Sequence, residues 1–282
     1  KSSFKAKIIN SNLKNLIKFE DFYKKSAAGI KDMLIDDNKL YISYSNQLKQ
    51  DCYNTSILVA DFNYYFLTFE NFFTPKNCIN MKKSINQTGG RIVKFKDDKL
   101  IFSIGDWKSR DDVQDKSKLF GKIISIDIKT KNHRIISMGH RNPQGLYYDI
   151  NRNIIISTEH GPKGGDEINI NITPDDKIIK NYGWPISSYG KHYGEYDSPE
   201  YYKKYPLYKS HSDHGFIEPL KFYNIAIAIS EIIKLPKKFE SNATEKNSNV
   251  SIEPPIIEEN KGALHHWVLE KNKENNLISS NW

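Results

Sequence analysis

Cysteine is scarce in this chain of 282 residues, with only Cys52 and Cys78. Two are too few for a disulfide scaffold, and their spacing does not suggest zinc. One bridge between them would suit an oxidising compartment; two free thiols is the equal alternative. Long apolar runs are missing too. None approaches the roughly 18 residues of a membrane helix, so no membrane span is expected. The N-terminal KSSFKAKIIN has no signal-peptide core, but a mature chain would have lost one, so this says nothing about export. Charge of a single sign does not cluster. The balance is 42 Lys+Arg against 34 Asp+Glu, net +8. The lysines are mixed with acids along the whole chain and form no basic stripe. That predicts a solvated Lys- and Asn-rich surface and no nucleic-acid partner, while leaving attraction to acidic partners open. The Asn-x-Ser/Thr triplets at Asn54, Asn86, Asn171, Asn242 and Asn249 follow from the abundance of Asn. Helical periodicity is sparse. Only Ser11–Lys25 and Ile225–Leu235 suggest helices, and the second reads equally well as a strand.

What is present is a recurring hairpin. MLIDDNKLYIS (Met33–Ser43), IVKFKDDKLIFS (Ile92–Ser103), GKIISIDIKTKNHRIIS (Gly121–Ser137) and GLYYDINRNIIIS (Gly145–Ser157) share one form. Each has an apolar strand, a turn of Asp, Asn or Lys, and a β-branched or aromatic strand ending in Ser. Asp and Asn tolerate left-handed backbone and cap their own amides. The units recur at the scale of a propeller blade, about 45–50 residues of four strands, so the chain has room for about six blades. A β-sandwich with similar hairpins is the alternative on this pattern alone. From Lys237 to Gly262 the chain is polar, with a double Pro and little pattern, and is expected to be a long loop or insertion. Leu264–Leu269 reads as one further strand.

The functional residue types crowd into three stretches: MGHRNPQGL (Met138–Leu146), EHGPKGGDEI (Glu159–Ile168) and NYGWP (Asn181–Pro185). Arg141 and Asn142 follow a strand, with Pro143 stiffening the next step. Side by side they offer planar donors to a carboxylate or quinone oxygen, although Arg141 would equally suit a structural ion pair. Gly161, Pro162, Gly164 and Gly165 make a tight loop whose carbonyls suit a hard cation such as calcium. A β-turn with solvated acids is the plainer reading. No second His or Cys stands at zinc spacing, and KGGDE lacks the Gly–Lys–Ser/Thr ending of a phosphate-binding loop.

These three stretches in this order resemble the glucose/sorbosone dehydrogenase family, the PQQ-dependent aldose sugar dehydrogenases. TGGRIVKFKDDKLIFSIGD (Thr88–Asp106) and LFGKIISID (Leu119–Asp127) are similar to that family's Gly-Arg and Gly-Lys strands. The likeness runs from about Gly89 to Pro185 and continues more weakly through GFIEPLKF (Gly215–Phe222). It implies a single all-β domain over residues 1–282, a six-bladed β-propeller, with PQQ over the central cleft and calcium bridging it to the protein. By the resemblance, Gly161 and Pro162 supply the metal's carbonyl ligands. Arg141 and Asn142 contact the quinone, His160 and Asp166 line the cofactor site, and Asp106 orients the catalytic base. The implied reaction is oxidation of an aldose at C1 by hydride transfer to the quinone, with calcium and Arg141 stabilising developing charge. The substrate would be a small-molecule sugar and the location periplasmic or secreted. The electron acceptor is not indicated.

Two departures stand out. The family's base is a His shortly before the Gly-Arg pair, but SINQTGGR (Ser84–Arg91) has none. Asn86 or Gln87 occupies the place, and neither accepts a proton at neutral pH. Loss of a positioned base costs roughly 10²–10⁴-fold in rate. A His from elsewhere, His140 or His160, is the candidate substitute. No Arg follows Arg152, so the family's late Arg-containing strand has no counterpart and the last blade is expected to be degenerate or truncated. Two functions therefore remain open: a PQQ- and calcium-dependent sugar dehydrogenase, or a non-catalytic propeller of the same family that binds a sugar or protein partner.

Overall fold

The computed structural model describes residues 8–17, 29–80, 86–96, 98–194 and 198–234, and the backbone of 268–271 and 277–280. Three antiparallel meanders succeed one another along the chain. The first sheet runs Ile30–Asp36, Lys39–Lys49, Cys52–Asp61 and Glu70–Phe73, with Ile79–Asn80 added beside Cys52–Asp61. The second runs Gly89–Phe95, Lys99–Ile104, Lys122–Asp127 and His133–Met138, and Lys180–Asn181 joins its edge in parallel. The third runs Pro143–Asp149, Ile154–Glu159, Asp166–Asn171 and Lys221–Tyr223. All four hairpins read from the sequence are present. Their turns place Asp37, Asn38, Lys96, Lys131 and Asn153 at positive φ. Asn and Asp accept that backbone at low cost.

The opening strands of the three sheets pack side by side, Gly89–Phe95 between the other two. The sheets themselves stack face to face. Tyr41, Ile57, Val59 and Phe73 of the first meet Ile92, Phe102, Ile104 and Ile124 of the second. Phe95, Ile101, Ile123 and Ile136 of the second meet Leu146, Tyr148 and Ile155 of the third. Alternation along each strand supplies one residue set to each neighbour, so a blade between two others is apolar on both faces. Arg91 clamps the three opening strands. Its Nη1 donates to Asp32 Oδ1 at 3.0 Å and its Nε to the Gln144 carbonyl at 2.9 Å.

This is the all-β propeller architecture expected from the hairpins. Among the described residues three such meanders are present, half of the roughly six blades expected, and the sheets do not close into a ring. The far face of the third is covered by Leu220, Ile227, Ile229 and Ile232 rather than by another sheet. Cys52 and Cys78 are bridged, which resolves the alternative left open by their spacing. Residues 225–234 form neither helix nor strand. The amides of Ile227 and Ala228 turn instead to Asp166 Oδ2, at 2.9 and 2.7 Å, and Ala228 has φ 54°. In Ser11–Lys25 the described helix is a single turn, Leu13–Leu16, and residues 18–25 lie outside the described residues. So do 237–262 and 264–267. The late strand is described at Val268–Lys271, paired with Leu277–Ser280.

Each opening strand has a register shift at the same end, between Ile30 and Asp32, Gly89 and Ile92, and Pro143 and Gly145. Bulges of this kind re-aim the chain and end regular pairing. The three motif stretches gather at that end.

Candidate active site

Backbone bonds sew the loops of this end together before any side chain is considered. Gly105 N donates to the Thr88 carbonyl at 3.0 Å, Trp107 N to Gln87 at 3.1 Å, and Asp106 N to Arg141 at 2.8 Å. Asn142 Oδ1 accepts from Gly89 N at 3.2 Å and from Gln144 Nε2 at 2.9 Å. The 86–89, 105–107 and 141–142 stretches are thus held as one unit. Gly105 sits where a Cβ would meet the Gln87 carbonyl oxygen at 2.0 Å, so no larger residue permits this approach.

Arg141 is 6% exposed. Its amide donates to Glu159 Oε2 at 2.7 Å, its Nη1 to the His160 carbonyl at 2.9 Å and its Nη2 to the Tyr193 hydroxyl at 3.4 Å. The guanidinium also lies 5.5 Å from the Trp184 ring. Arg141 therefore joins the glycine-rich loop to the aromatic wall. His140 beneath it is fully buried, with Nδ1 2.9 Å from Glu159 Oε1 and Nε2 2.8 Å from Ser137 Oγ. Both ring nitrogens are occupied, so His140 is a structural residue and not a replacement base. Burial alone would push Glu159 up, but the His140 charge and bonds from His140, the Arg141 amide and Asn169 hold it below the usual range. Glu167 goes the other way. Burial and the neighbouring Glu159 charge raise it well above its normal value, which favours its protonated form.

Asp106 is wholly buried. Its Oδ1 accepts from the Lys108 amide at 2.9 Å and its Oδ2 from Trp184 Nε1 at 2.8 Å. Burial pushes its carboxyl up to about 6, against the opposing pull of Arg141. Asp166 also has both oxygens engaged. Oδ1 accepts from Gly161 N at 2.9 Å, and Oδ2 accepts from Ile227 and Ala228. Its role in the structure is to pin residues 227–228 behind the loop.

The glycine-rich loop is tightly packed. A Cβ on Gly161 would meet the Gly165 and Gly164 carbonyl oxygens at 2.2 and 2.3 Å. Among the described residues neither the Gly161 nor the Pro162 carbonyl accepts a hydrogen bond, and His160 Nε2 is buried without a partner. Free carbonyls beside an orphaned nitrogen suit a hard cation and an oxygen-rich organic ligand. No group of three or more His, Cys, Asp or Glu side chains among the described residues is placed to hold a metal, so backbone oxygens are the available ligands.

On the far side of Arg141, reached through Tyr193, opens a cavity of about 580 Å³ lined by Asn86, Gln87, Arg110, Tyr193, Tyr201 and Tyr205, with Lys108, Ser109 and Asp111. The two residues at the place of the base thus face open space, and Asn86 Oδ1 is buried with no partner among the described residues. A much smaller void, about 10 Å³, lies under Arg141, His160, Gly161 and Trp184. The structure therefore brings together Arg141, Asn142, His160, Gly161, Asp106, Asn86 and Gln87, and sets Asp166 behind them. Sequence reasoning missed Glu159, Trp184 and Arg110 as parts of this assembly. Trp184 stands inside a quoted motif, but nothing in NYGWP signals that its indole meets Asp106, 78 residues away.

Comparison with known proteins defines the class. The chain belongs to the glucose/sorbosone dehydrogenase family, whose model matches residues 5–243. It is 38% identical to the aldose sugar dehydrogenase YliI of Escherichia coli strain K12 over 128 residues, 41% of this chain and 33% of that protein. It is 47% identical to quinoprotein glucose dehydrogenase B of Acinetobacter calcoaceticus over 53 residues, 18% of this chain and 9% of that protein. The crystal structure of the soluble aldose sugar dehydrogenase of Escherichia coli in the apo-form superposes with a TM-score of 0.60 at 26% identity, covering 73% of this chain and 61% of that one. The match to YliI spans about a third of that relative's length. No helix among the described residues is long and apolar enough to cross a membrane.

Proposed function

We propose that this protein binds PQQ and calcium and oxidises an aldose at C1. The observation that carries the reading is the convergence on Arg141. Its guanidinium spans from the His160 carbonyl to Tyr193, between the unbonded Gly161 and Pro162 carbonyls and the large cavity. When bound, PQQ with its calcium would supply a quinone able to accept a hydride.

The protein's own groups would do the rest. Gly161 and Pro162 would hold the metal by their carbonyls, and His160 Nε2 and Asn142 would hydrogen-bond the cofactor. Asn142 Oδ1 is already committed to Gly89 and Gln144, which fixes its amide and leaves the Nδ2 side to the ligand. Arg141 would stabilise negative charge that develops on the quinone oxygen, and it is preorganised by the bonds it already makes. Asp106 would hold Trp184 and the Lys108 turn in place. The sugar would occupy the large cavity with its C1 hydroxyl towards Asn86 and Gln87. Either amide can orient that hydroxyl, but neither can take its proton at neutral pH, so the oxidation would be slow. Family relationship, with the bridged cysteines, supports a periplasmic or secreted location.

A non-catalytic, sugar-binding propeller is the second reading, favoured by the absence of a basic side chain at residues 86 and 87. Equilibrium titration of PQQ with calcium against wild type and Arg141→Gln distinguishes them. The enzyme reading expects calcium-dependent binding that Arg141→Gln weakens at least about tenfold, as loss of a charged hydrogen bond implies. Absence of any PQQ binding would leave only the sugar-binding reading.

A further inference from the structure

The large cavity is unusual in its charge. Its one lining carboxylate, Asp111, is already bound by Lys204 Nζ at 2.5 Å and by the Tyr205 hydroxyl. Its two lining cations, Lys108 and Arg110, pair with no carboxylate among the described residues. The buried Asp106 feels the Arg110 charge, but its oxygens accept from Trp184 and the Lys108 amide.

Arg110 is built in rather than loose. Its guanidinium lies 4.8 Å from the Trp184 ring, 5.0 Å from Tyr201 and 5.6 Å from Tyr205. Three rings hold the plane by cation–π attraction, yet Nη1 is buried and finds no hydrogen-bond partner among the described residues. An orphaned guanidinium N–H is costly unless a ligand satisfies it. The turn that delivers both cations is itself strained. Trp107 and Lys108 are consecutive non-glycine residues at φ 52° and 61°. Trp107 is anchored by its Nε1 to Thr55 Oγ1 at 3.0 Å, which leaves Lys108 exposed at the cavity. Backbone held in this region is retained where the surroundings impose it, and such strain clusters at ligand sites.

A neutral sugar is usually held through carboxylates and amides that accept from its hydroxyls. Here one oxygen of the carboxylate, Asp111 Oδ1, is engaged by Lys204 and Tyr205, and the cationic donors Arg110 and Lys108 stand beside aromatic faces. We propose that this cavity selects an anionic aldose, a sugar bearing a carboxylate or a phosphate, with Arg110 and Lys108 receiving the negative group. The inference rests on the sugar-binding reading of the site and names its substrate class. Arg110 binds the anion in a planar, two-pronged manner, while Lys108 adds attraction from the rim.

The test is equilibrium binding to the whole chain without cofactor, read by calorimetry, with D-glucose, D-glucuronate and D-glucose 6-phosphate at low and high salt. Glucuronate or glucose 6-phosphate should bind at least about tenfold more tightly than glucose, and the tighter of the two identifies carboxylate or phosphate. The preference should shrink as salt rises. Arg110→Gln should weaken the anionic sugar about ten- to hundred-fold, while Arg110→Lys, which keeps the charge between the rings, should retain part of it. PQQ binding should be unchanged in both. Equal affinity for glucose and the anionic sugars overturns the proposal. So does loss of PQQ rather than sugar in Arg110→Gln, which would assign the cations to the cofactor. Anion preference without PQQ binding supports the proposal and removes only the dehydrogenase reading.

Discussion

The indole Nε1 of Trp184 donates to Oδ2 of Asp106 across 2.8 Å. One bond therefore joins the loop that ends the second strand of the middle blade to the aromatic wall that packs on Arg110 and Arg141. With Asp106 held by burial at about 6, protonation should be visible at Trp184. The intrinsic fluorescence should change with a midpoint near pH 6, and the change should vanish in Asp106→Asn and in Trp184→Phe. The sign for stability follows from the same shift. The carboxyl is harder to ionise folded than unfolded, where its value is 3.8. Between about pH 4 and 6 the folded state holds the extra proton. Asp106 therefore weakens the fold as pH rises through this window, and its full penalty is present above about 6. Wild type should gain stability relative to Asp106→Asn on going from pH 6 to pH 4. A constant difference would refute the assignment.

Glu159 and Glu167 stand opposite each other on paired antiparallel strands but should respond oppositely to amide substitution. Glu159 is an ionised acceptor for His140, the Arg141 amide and Asn169. Glu159→Gln leaves those donors poorly matched and should cost about 3–5 kcal/mol, as for one partner removed from a buried pair. Burial and the Glu159 charge favour the neutral form of Glu167, so Glu167→Gln resembles the favoured form and should cost less than about 1 kcal/mol. Urea denaturation at pH 7 measures both. Equal losses would mean that Glu167 is ionised.

Asn86 and Gln87 carry a kinetic prediction. Both line the large cavity, where a basic group could meet a sugar hydroxyl. Asn86→His or Gln87→His, reconstituted with PQQ and calcium, should raise aldose-dependent dye reduction by roughly 10²–10⁴-fold, the usual worth of a positioned base. The gain should depend on pH with a midpoint near the usual His value of about 6.5. No gain from either substitution would show that the missing His is not what limits turnover.

Much of the fold was legible because hairpins are local. Turn residues such as Asp37, Asn38 and Asn153 adopt the backbone their chemistry favours, and short, nearly unbroken apolar runs announce strands that are buried on both faces. Residues 225–234 misled because their apolar composition fits any regular element, whereas Asp166, 61 and 62 residues away, takes the amides of Ile227 and Ala228. The site was legible as three motifs, and Arg141, Asn142, His160 and Gly161 do converge. Its electrostatics were not legible. Whether an acid is free or occupied depends on partners such as Trp184 for Asp106, or Lys204 for Asp111, which sequence spacing does not reveal. The orphaned Nη1 of Arg110 is of the same kind, since only a packed structure shows that a donor lacks an acceptor.

The most direct measurement is titration of the purified chain with PQQ in the presence of calcium, repeated after chelation. The account predicts stoichiometric binding that calcium strengthens and that Arg141→Gln weakens at least about tenfold. Binding that ignores both calcium and Arg141, or no binding at all, would contradict it.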